Sequence, residues 1–105
     1  MNEELVLEII VNGGNARSCA LEAIRSAREG AYGESEKQMA AAADWLLKAH
    51  EAQTQMIRDE ITGKGSGVTL MAVHAQDHLM NAMTVIDLAK EIIAGYTHNK
   101  KGDKE

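Results

Sequence analysis

Proline is absent from the 105 residues of this chain, and its absence removes the strongest barrier to long, unbroken helices. Phenylalanine is absent too, and aromatic residues make up only 3% of the sequence, so a core must be built from Leu, Ile, Val, Met and the many alanines. Alanine has the highest helix propensity of all residues. The sequence therefore predicts an all-α fold, and its length is that of a single domain, residues 1–105.

The first helix is predicted from an apolar spacing of three or four residues that begins after Asn2, a candidate N-cap. The glycine pair Gly13–Gly14 lies inside this segment and costs roughly 1 kcal/mol per glycine relative to alanine. We expect the pair to allow close approach of a neighbouring helix. The apolar positions of the segment are Leu5, Ile9, Ala16, Cys19, Ala23 and Ile24.

Two more helices are predicted after the first. Ser35, followed three residues later by Gln38, has the form of a capping box and indicates the start of the second helix. The glycine-rich residues 63–67 form a link, and the third helix begins near Val68 or Thr69. Its core stripe is Ala75, Leu79, Ala82, Ile86, Ala89, Ile93 and Tyr96. These segments predict a three-helix antiparallel up-down bundle.

A second set of positions lies on a different side of the third helix and is called the outer stripe. Its members are Val73, Asp77, Met80, Thr84 and Leu88. One hairpin partner does not need a second stripe, so the outer stripe predicts association between subunits. The polar residues 98–105 are predicted to form a disordered tail without a function.

Charge and composition exclude several functions. The formal net charge of −5 argues against binding to nucleic acid, which depends on clustered Lys and Arg. No apolar run approaches the roughly 20 residues that span a bilayer, and the N-terminus lacks a cationic signal-peptide region. Cys19 is the only cysteine, so no intrachain disulfide can form, and we expect a packed residue there in a cytoplasmic protein.

The third helix carries a cluster of polar side chains among apolar neighbours, and this cluster is the candidate functional site. Residues three or four apart share a helix face, so His74, Asp77 and His78 are neighbours, while Gln76 lies to one side. Three interpretations follow from the spacing. His74 could be the nucleophile of a phosphoryl transfer, with His78 and Gln76 as supporting groups, because a neutral imidazole nitrogen is nucleophilic near neutral pH.

The second interpretation is a metal enzyme, since H-x-x-D-H is similar to the zinc-protease pattern H-x-x-E-H. It lacks the glutamate base of that pattern and a known third ligand. The third interpretation is an ordinary polar helix face that is exposed to solvent. Spacing alone leaves all three open.

The segment 73–80 resembles the lactose/cellobiose-type enzyme IIA family of the phosphoenolpyruvate-dependent sugar phosphotransferase system. The flanking features agree: the Gly13–Gly14 pair in the first helix, the alanine-rich second helix, the glycine link, and Leu70–Met71 before the motif. The resemblance covers roughly residues 3–97.

The resemblance implies a role for each of the four polar residues of the motif. His74 would accept a phosphoryl group from the phosphocarrier HPr on its Nε2 and donate it to a cysteine of the cognate enzyme IIB, with His78 and Gln76 supporting the phosphoryl group. Asp77 would meet its two symmetry mates on the axis of a homotrimer and share one divalent cation per trimer, expected to be Mg²⁺. Three carboxylates brought together repel one another, and a hard cation with oxygen ligands removes that repulsion.

Two other classes of helical protein compete with this one. A histidine phosphotransfer domain of two-component signalling also presents a histidine on a helix, but its motif usually pairs that histidine with a lysine, whereas Asp77 stands here. A non-catalytic helical interaction module would keep the stripes and be indifferent to His74→Ala. The transported sugar is expected to be a β-disaccharide of the lactose, cellobiose or chitobiose class, and the sequence does not specify which.

Overall fold

The computed structural model describes residues 3–65 and 67–103, with side chains described up to residue 99. Three helices account for most of these residues: α1 (Glu3–Arg28), α2 (Tyr32–Ile61) and α3 (Leu70–Asp103). They form an elongated up-down bundle of 61 × 19 × 16 Å, which confirms the predicted fold. Helix α1 packs along both other helices, whereas α2 and α3 contact each other at far fewer positions. The candidate N-cap Asn2 lies outside the described residues.

The core is narrow because alanine fills most of it. One cluster surrounds Ile9 and Leu79, and a second is made mainly of alanines from all three helices. Ala75, Leu79, Ala82, Ile86 and Ala89 of the core stripe are all buried, and Ile93 and Tyr96 are partly buried. Small side chains let helix axes approach closely, so a chain with few large residues still closes a core. The core stripe prediction is confirmed.

The turn between α1 and α2 differs from the prediction. Ser35 does not cap α2, which begins three residues earlier at Tyr32 after Ala31. The Ser35 side chain is buried and its hydroxyl donates a hydrogen bond of 2.8 Å to the carbonyl oxygen of Ala23 in α1. Gln38 is also bonded to α1, because its side-chain oxygen accepts a 2.7 Å hydrogen bond from the Ser26 hydroxyl. The capping-box prediction is wrong because both side chains bond across to α1 rather than to their own helix terminus.

Helix α3 starts where the sequence places it. The Thr69 hydroxyl accepts a 3.1 Å hydrogen bond from the backbone N–H of Ala72, which is the geometry of an N-cap. At its other end α3 continues through Asp103, into the segment predicted as a tail. Nothing between residues 98 and 103 breaks a helix as proline would, and an existing helix extends at little cost.

The glycine pair of α1 divides into two different environments. Gly13 is buried, and a Cβ built on it would lie 3.4 Å from the carbonyl oxygen of His78, so α1 and α3 are in backbone contact there. A Cβ on Gly14 would have nothing within 4 Å. The expected close approach is confirmed at Gly13 and does not involve Gly14. None of the helices in the described residues is both long enough and apolar enough to cross a membrane.

Candidate functional site

Two histidines on successive turns of α3 form the centre of the candidate site. His74 is exposed and His78 is partly buried. Their Nε2 atoms lie 3.3 Å apart, and the rings meet edge to face with centroids 4.6 Å apart and an interplanar angle of 83°. The prediction that these two residues are neighbours is confirmed, and their proximity follows directly from the i, i+4 spacing.

This contact restricts the protonation states of the pair. When both rings are neutral and this contact is a hydrogen bond, one Nε2 carries a proton and donates the hydrogen bond, and the lone pair of the other Nε2 accepts it; the tautomers decide which is which. If His78 is the donor, the lone pair of the exposed His74 Nε2 is held by a hydrogen bond that an incoming electrophile can replace. With that tautomer, the arrangement can supply a nucleophilic nitrogen at the surface with an N–H donor beside it.

Gln76 lies on the opposite side of α3 from His74, because two residues of helix correspond to a rotation of about 200°. Its side-chain oxygen accepts a 2.8 Å hydrogen bond from Nε2 of Gln53 in α2. The two glutamines line a cleft of about 200 Å³ between α2 and α3, together with Met56, Ile57, Glu60, Val68, Ala72 and Val73. Within one chain, Gln76 is thus not brought together with the histidine pair.

Asp77 is exposed on the outer stripe, on the same side as Val73 and Met80. The apolar members of this stripe are unusually accessible: Val73 is 44% exposed, Met80 54% and Leu88 56%. No three His, Cys, Asp or Glu side chains among the described residues lie close enough together to hold a metal ion. A cation at Asp77 would take its remaining oxygen ligands from water or from other chains, and a carboxylate is the donor type that Mg²⁺ prefers.

The structure also reveals contacts that the motif analysis missed. Helix α1 lies close behind the site, since a Cβ built on Gly13 would lie 3.4 Å from the carbonyl oxygen of His78. The glycine pair was the sequence signal for this contact, but the sequence did not say which residue would lie opposite. Gln53 carries no sequence signal that would link it to Gln76.

Fold and site together define a small three-helix protein with an exposed histidine, His74, and a second histidine beside it on the third helix. The chain belongs to the family of lactose/cellobiose-specific IIA subunits of the phosphotransferase system, whose model matches residues 4–97. The match includes nearly all of α1, the whole of α2, α3 as far as residue 97, and the whole motif. This match identifies the chain with the sugar phosphotransferase system rather than with the histidine phosphotransfer domains of two-component signalling.

Named relatives agree with this family. The chain is 52% identical over 99 residues to the lichenan-specific phosphotransferase enzyme IIA component of Bacillus subtilis, a match that covers 91% of this chain and 90% of the relative. Two solved structures share the fold. The cellobiose-specific enzyme IIA of Bacillus anthracis superposes with a TM-score of 0.90 at 39% identity, over 94% of this chain and 91% of that one.

The other structure is the IIA(Chitobiose)–HPr complex of the N,N'-diacetylchitobiose branch of the Escherichia coli phosphotransferase system. It superposes with a TM-score of 0.81 at 35% identity, over 93% of this chain and 95% of that one. That IIA protein is therefore one that binds HPr.

Proposed function

We propose that this chain is a phosphoryl carrier that accepts a phosphoryl group from phospho-HPr on Nε2 of His74 and passes it to a cysteine of its enzyme IIB. The observation that carries the proposal is the exposed His74 ring with its Nε2 3.3 Å from that of His78, in a chain of the IIA family. The complex of a related IIA protein with HPr supports the donor.

The transfer needs no redox chemistry and no added reactant. The lone pair on His74 Nε2 attacks phosphorus while the bond from phosphorus to the donor atom of HPr breaks, and that electron pair stays with HPr. In the second transfer the thiolate of the IIB cysteine attacks phosphorus, and the P–N bond breaks with its pair returning to His74. Each step exchanges one bond to phosphorus for another.

His78 would bind the phosphoryl group that forms beside it. Once His74 Nε2 is bonded to phosphorus, it no longer accepts a hydrogen bond from His78. The phosphoryl oxygens then lie about where the hydrogen bond was, within reach of the His78 Nε2–H. His78 therefore exchanges an imidazole acceptor for an anionic one, and the charge-assisted bond stabilises the phosphorylated state.

A homotrimer would account for the outer stripe and for Asp77. Burial of the exposed Val73, Met80 and Leu88 side chains drives association, and threefold symmetry brings three copies of Asp77 to one axis. A shared divalent cation, expected to be Mg²⁺, would neutralise the three carboxylates when bound. In such an assembly Gln76, which faces away from His74 of its own chain, could reach the site of a neighbouring subunit.

The transported sugar is proposed to be a β-linked disaccharide or a closely related oligosaccharide. Related IIA proteins include ones named for lichenan, cellobiose and N,N'-diacetylchitobiose. A phosphoryl carrier does not bind the sugar itself, so the choice among these rests with the partner components rather than with His74.

The test is incubation of the protein with phosphoenolpyruvate, enzyme I and HPr, followed by intact mass analysis and an acid-lability assay. We expect one acid-labile phosphoryl group per chain, which is lost in His74→Ala and retained in His50→Ala, a histidine of α2 that is remote from the motif. Addition of IIB should then discharge the protein. Wild-type protein that stays unmodified, or His74→Ala that is still labelled, would contradict the proposal.

A further inference from the structure

The phosphorylated site requires positive charge that its own helix does not supply. A phosphoryl group adds nearly two negative charges at neutral pH to a chain whose net charge is already −5. Residues 70–89 of α3 contain no Lys or Arg. A Lys or Arg side chain that compensates the charge on His74 from nearby in the same chain must therefore come from another helix.

Helix α1 is the element that lies alongside the histidine pair, and two contacts define its register. Near the start of both helices, Leu7 of α1 and Met71 of α3 line one small cleft. Gly14 follows Leu7 by seven residues, and His78 follows Met71 by seven residues. Seven residues make about two turns, so Gly14 and His78 lie on the same edge of the α1–α3 contact. The 3.4 Å approach of a Gly13 Cβ to the His78 carbonyl oxygen confirms the level.

The next polar residue along this edge of α1 is Arg17. It is four residues after Gly13 and three after Gly14, and residues with these spacings share a helix face. In an up-down bundle the first and third helices run in the same direction, and side chains on a helix lean toward its N-terminus. An Arg17 side chain that follows this preference leans from a level near Ala82 back toward the level of His78.

The surroundings leave this side chain free to reach the histidines. Arg17 is exposed, and it forms no ion pair with any residue in the part of the chain that the structure describes. The space over Gly14 is empty, since a Cβ there would meet no atom within 4 Å. The absent side chain at position 14 therefore opens the path between the guanidinium and the imidazole pair.

We propose that Arg17 binds the phosphoryl group on His74, with Gly14 keeping the path between them open; this inference rests on the proposed function. The planar guanidinium can donate two parallel hydrogen bonds to phosphoryl oxygens, which an ammonium group cannot do. His78 would hold the phosphoryl group from within α3, and Arg17 would hold it from α1.

The experiment compares Arg17→Gln, Arg17→Lys and the control Arg25→Gln, which removes the same charge two turns further along α1. Each variant is mixed with HPr, enzyme I and phosphoenolpyruvate, and the equilibrium ratio of the phosphorylated chain to phospho-HPr is measured. We expect Arg17→Gln to lower the equilibrium constant for transfer roughly three- to tenfold, Arg17→Lys to restore part of it, and Arg25→Gln to match wild type.

A second measurement separates phosphoryl binding from docking of HPr. The ³¹P chemical shift of the phosphohistidine is recorded on each chain after HPr has been removed, and circular dichroism checks that the helices are intact. A shift that changes in Arg17→Gln but not in Arg25→Gln supports the inference. An unchanged shift in Arg17→Gln, or equal effects of the two glutamine variants, overturns it. Failure of wild-type protein to be labelled at His74 would instead contradict the proposed function.

Discussion

Nε2 of His78 lies 3.3 Å from Nε2 of His74 and approaches that ring from its edge. The two nitrogens compete for one proton, so the neutral pair has one lone pair at this point rather than two. His78 is partly buried and its backbone carbonyl lies close to Gly13 of α1, whereas the His74 side chain is exposed.

The first prediction concerns His78. We expect His78→Ala to be phosphorylated on His74 but to react with phospho-HPr about tenfold more slowly, because one charge-assisted donor to the phosphoryl group is lost. Rapid-quench measurement of labelling gives the rate. His78→Gln, which keeps an N–H donor, is the matched control, and its labelling rate should lie between those of the wild type and His78→Ala. Equal rates in all three proteins would show that His78 does not contact the phosphoryl group.

The glycine pair gives a stability prediction. Gly14→Ala should raise the free energy of unfolding by about 0.5–1 kcal/mol, because the added methyl group meets nothing and alanine favours the helix. Gly13→Leu should lower it by about 1–3 kcal/mol, because the side chain would press on the backbone of His78. Urea unfolding measures both. If Gly14→Leu were as destabilising as Gly13→Leu, the close approach at Gly13 would not be the reason for the pair.

Ser35 gives a prediction about the α1–α2 junction. Its buried hydroxyl bonds to the Ala23 carbonyl oxygen at 2.8 Å, so Ser35→Ala should cost about 1 kcal/mol. Thermal unfolding should show a midpoint lower by several degrees. Thr54→Ala removes a hydroxyl from an exposed position of the same helix and should change the midpoint less. If Ser35 acted only as a helix cap, Ser35→Ala would instead cause fraying of the first turn of α2.

The proposed trimer predicts a response to chelation. Removal of the divalent cation should weaken the trimer at pH 8, because ionised Asp77 carboxylates repel one another without a cation. Sedimentation velocity with and without EDTA measures the fraction of the protein that is trimeric. Asp77→Asn removes the charges and should make assembly insensitive to EDTA. A wild-type trimer unaffected by EDTA at pH 8 would count against a shared cation.

Cys19 provides a prediction about pH. Burial, with a smaller contribution from the negative charge of Glu22, raises the pKa of its thiol. The folded protein therefore holds the thiol proton more tightly than the unfolded chain, whose cysteine titrates near pH 8.5. Stability should fall as pH rises above that value, and it should fall less in Cys19→Ser.

Alkylation gives an independent check on Cys19. Iodoacetamide should react with the folded protein at pH 7.5 more slowly than with the urea-unfolded chain, since the thiolate is the reactive form. Equal rates would mean that the fold does not protect this thiol.

The sequence by itself determined the three helices, the core stripe and the proximity of His74 to His78. These features depend on local geometry, because a helix brings residues three and four apart together whatever packs around it. The start of α3 was predictable for the same reason, since the Thr69 hydroxyl caps its own helix by accepting a hydrogen bond from the backbone N–H of Ala72, three residues later.

Only the tertiary structure decided the partners of Ser35, Gly13 and Gln76. Ser35 bonds to a residue 12 positions earlier, Gly13 contacts a residue of another helix, and Gln76 bonds to a glutamine 23 positions earlier. Such contacts depend on the register of one helix against another. Many small packing interactions along both helices set this register together, so no single sequence position predicts it. The alignment of Gly14 and Arg17 with the histidine pair arises from that register as well.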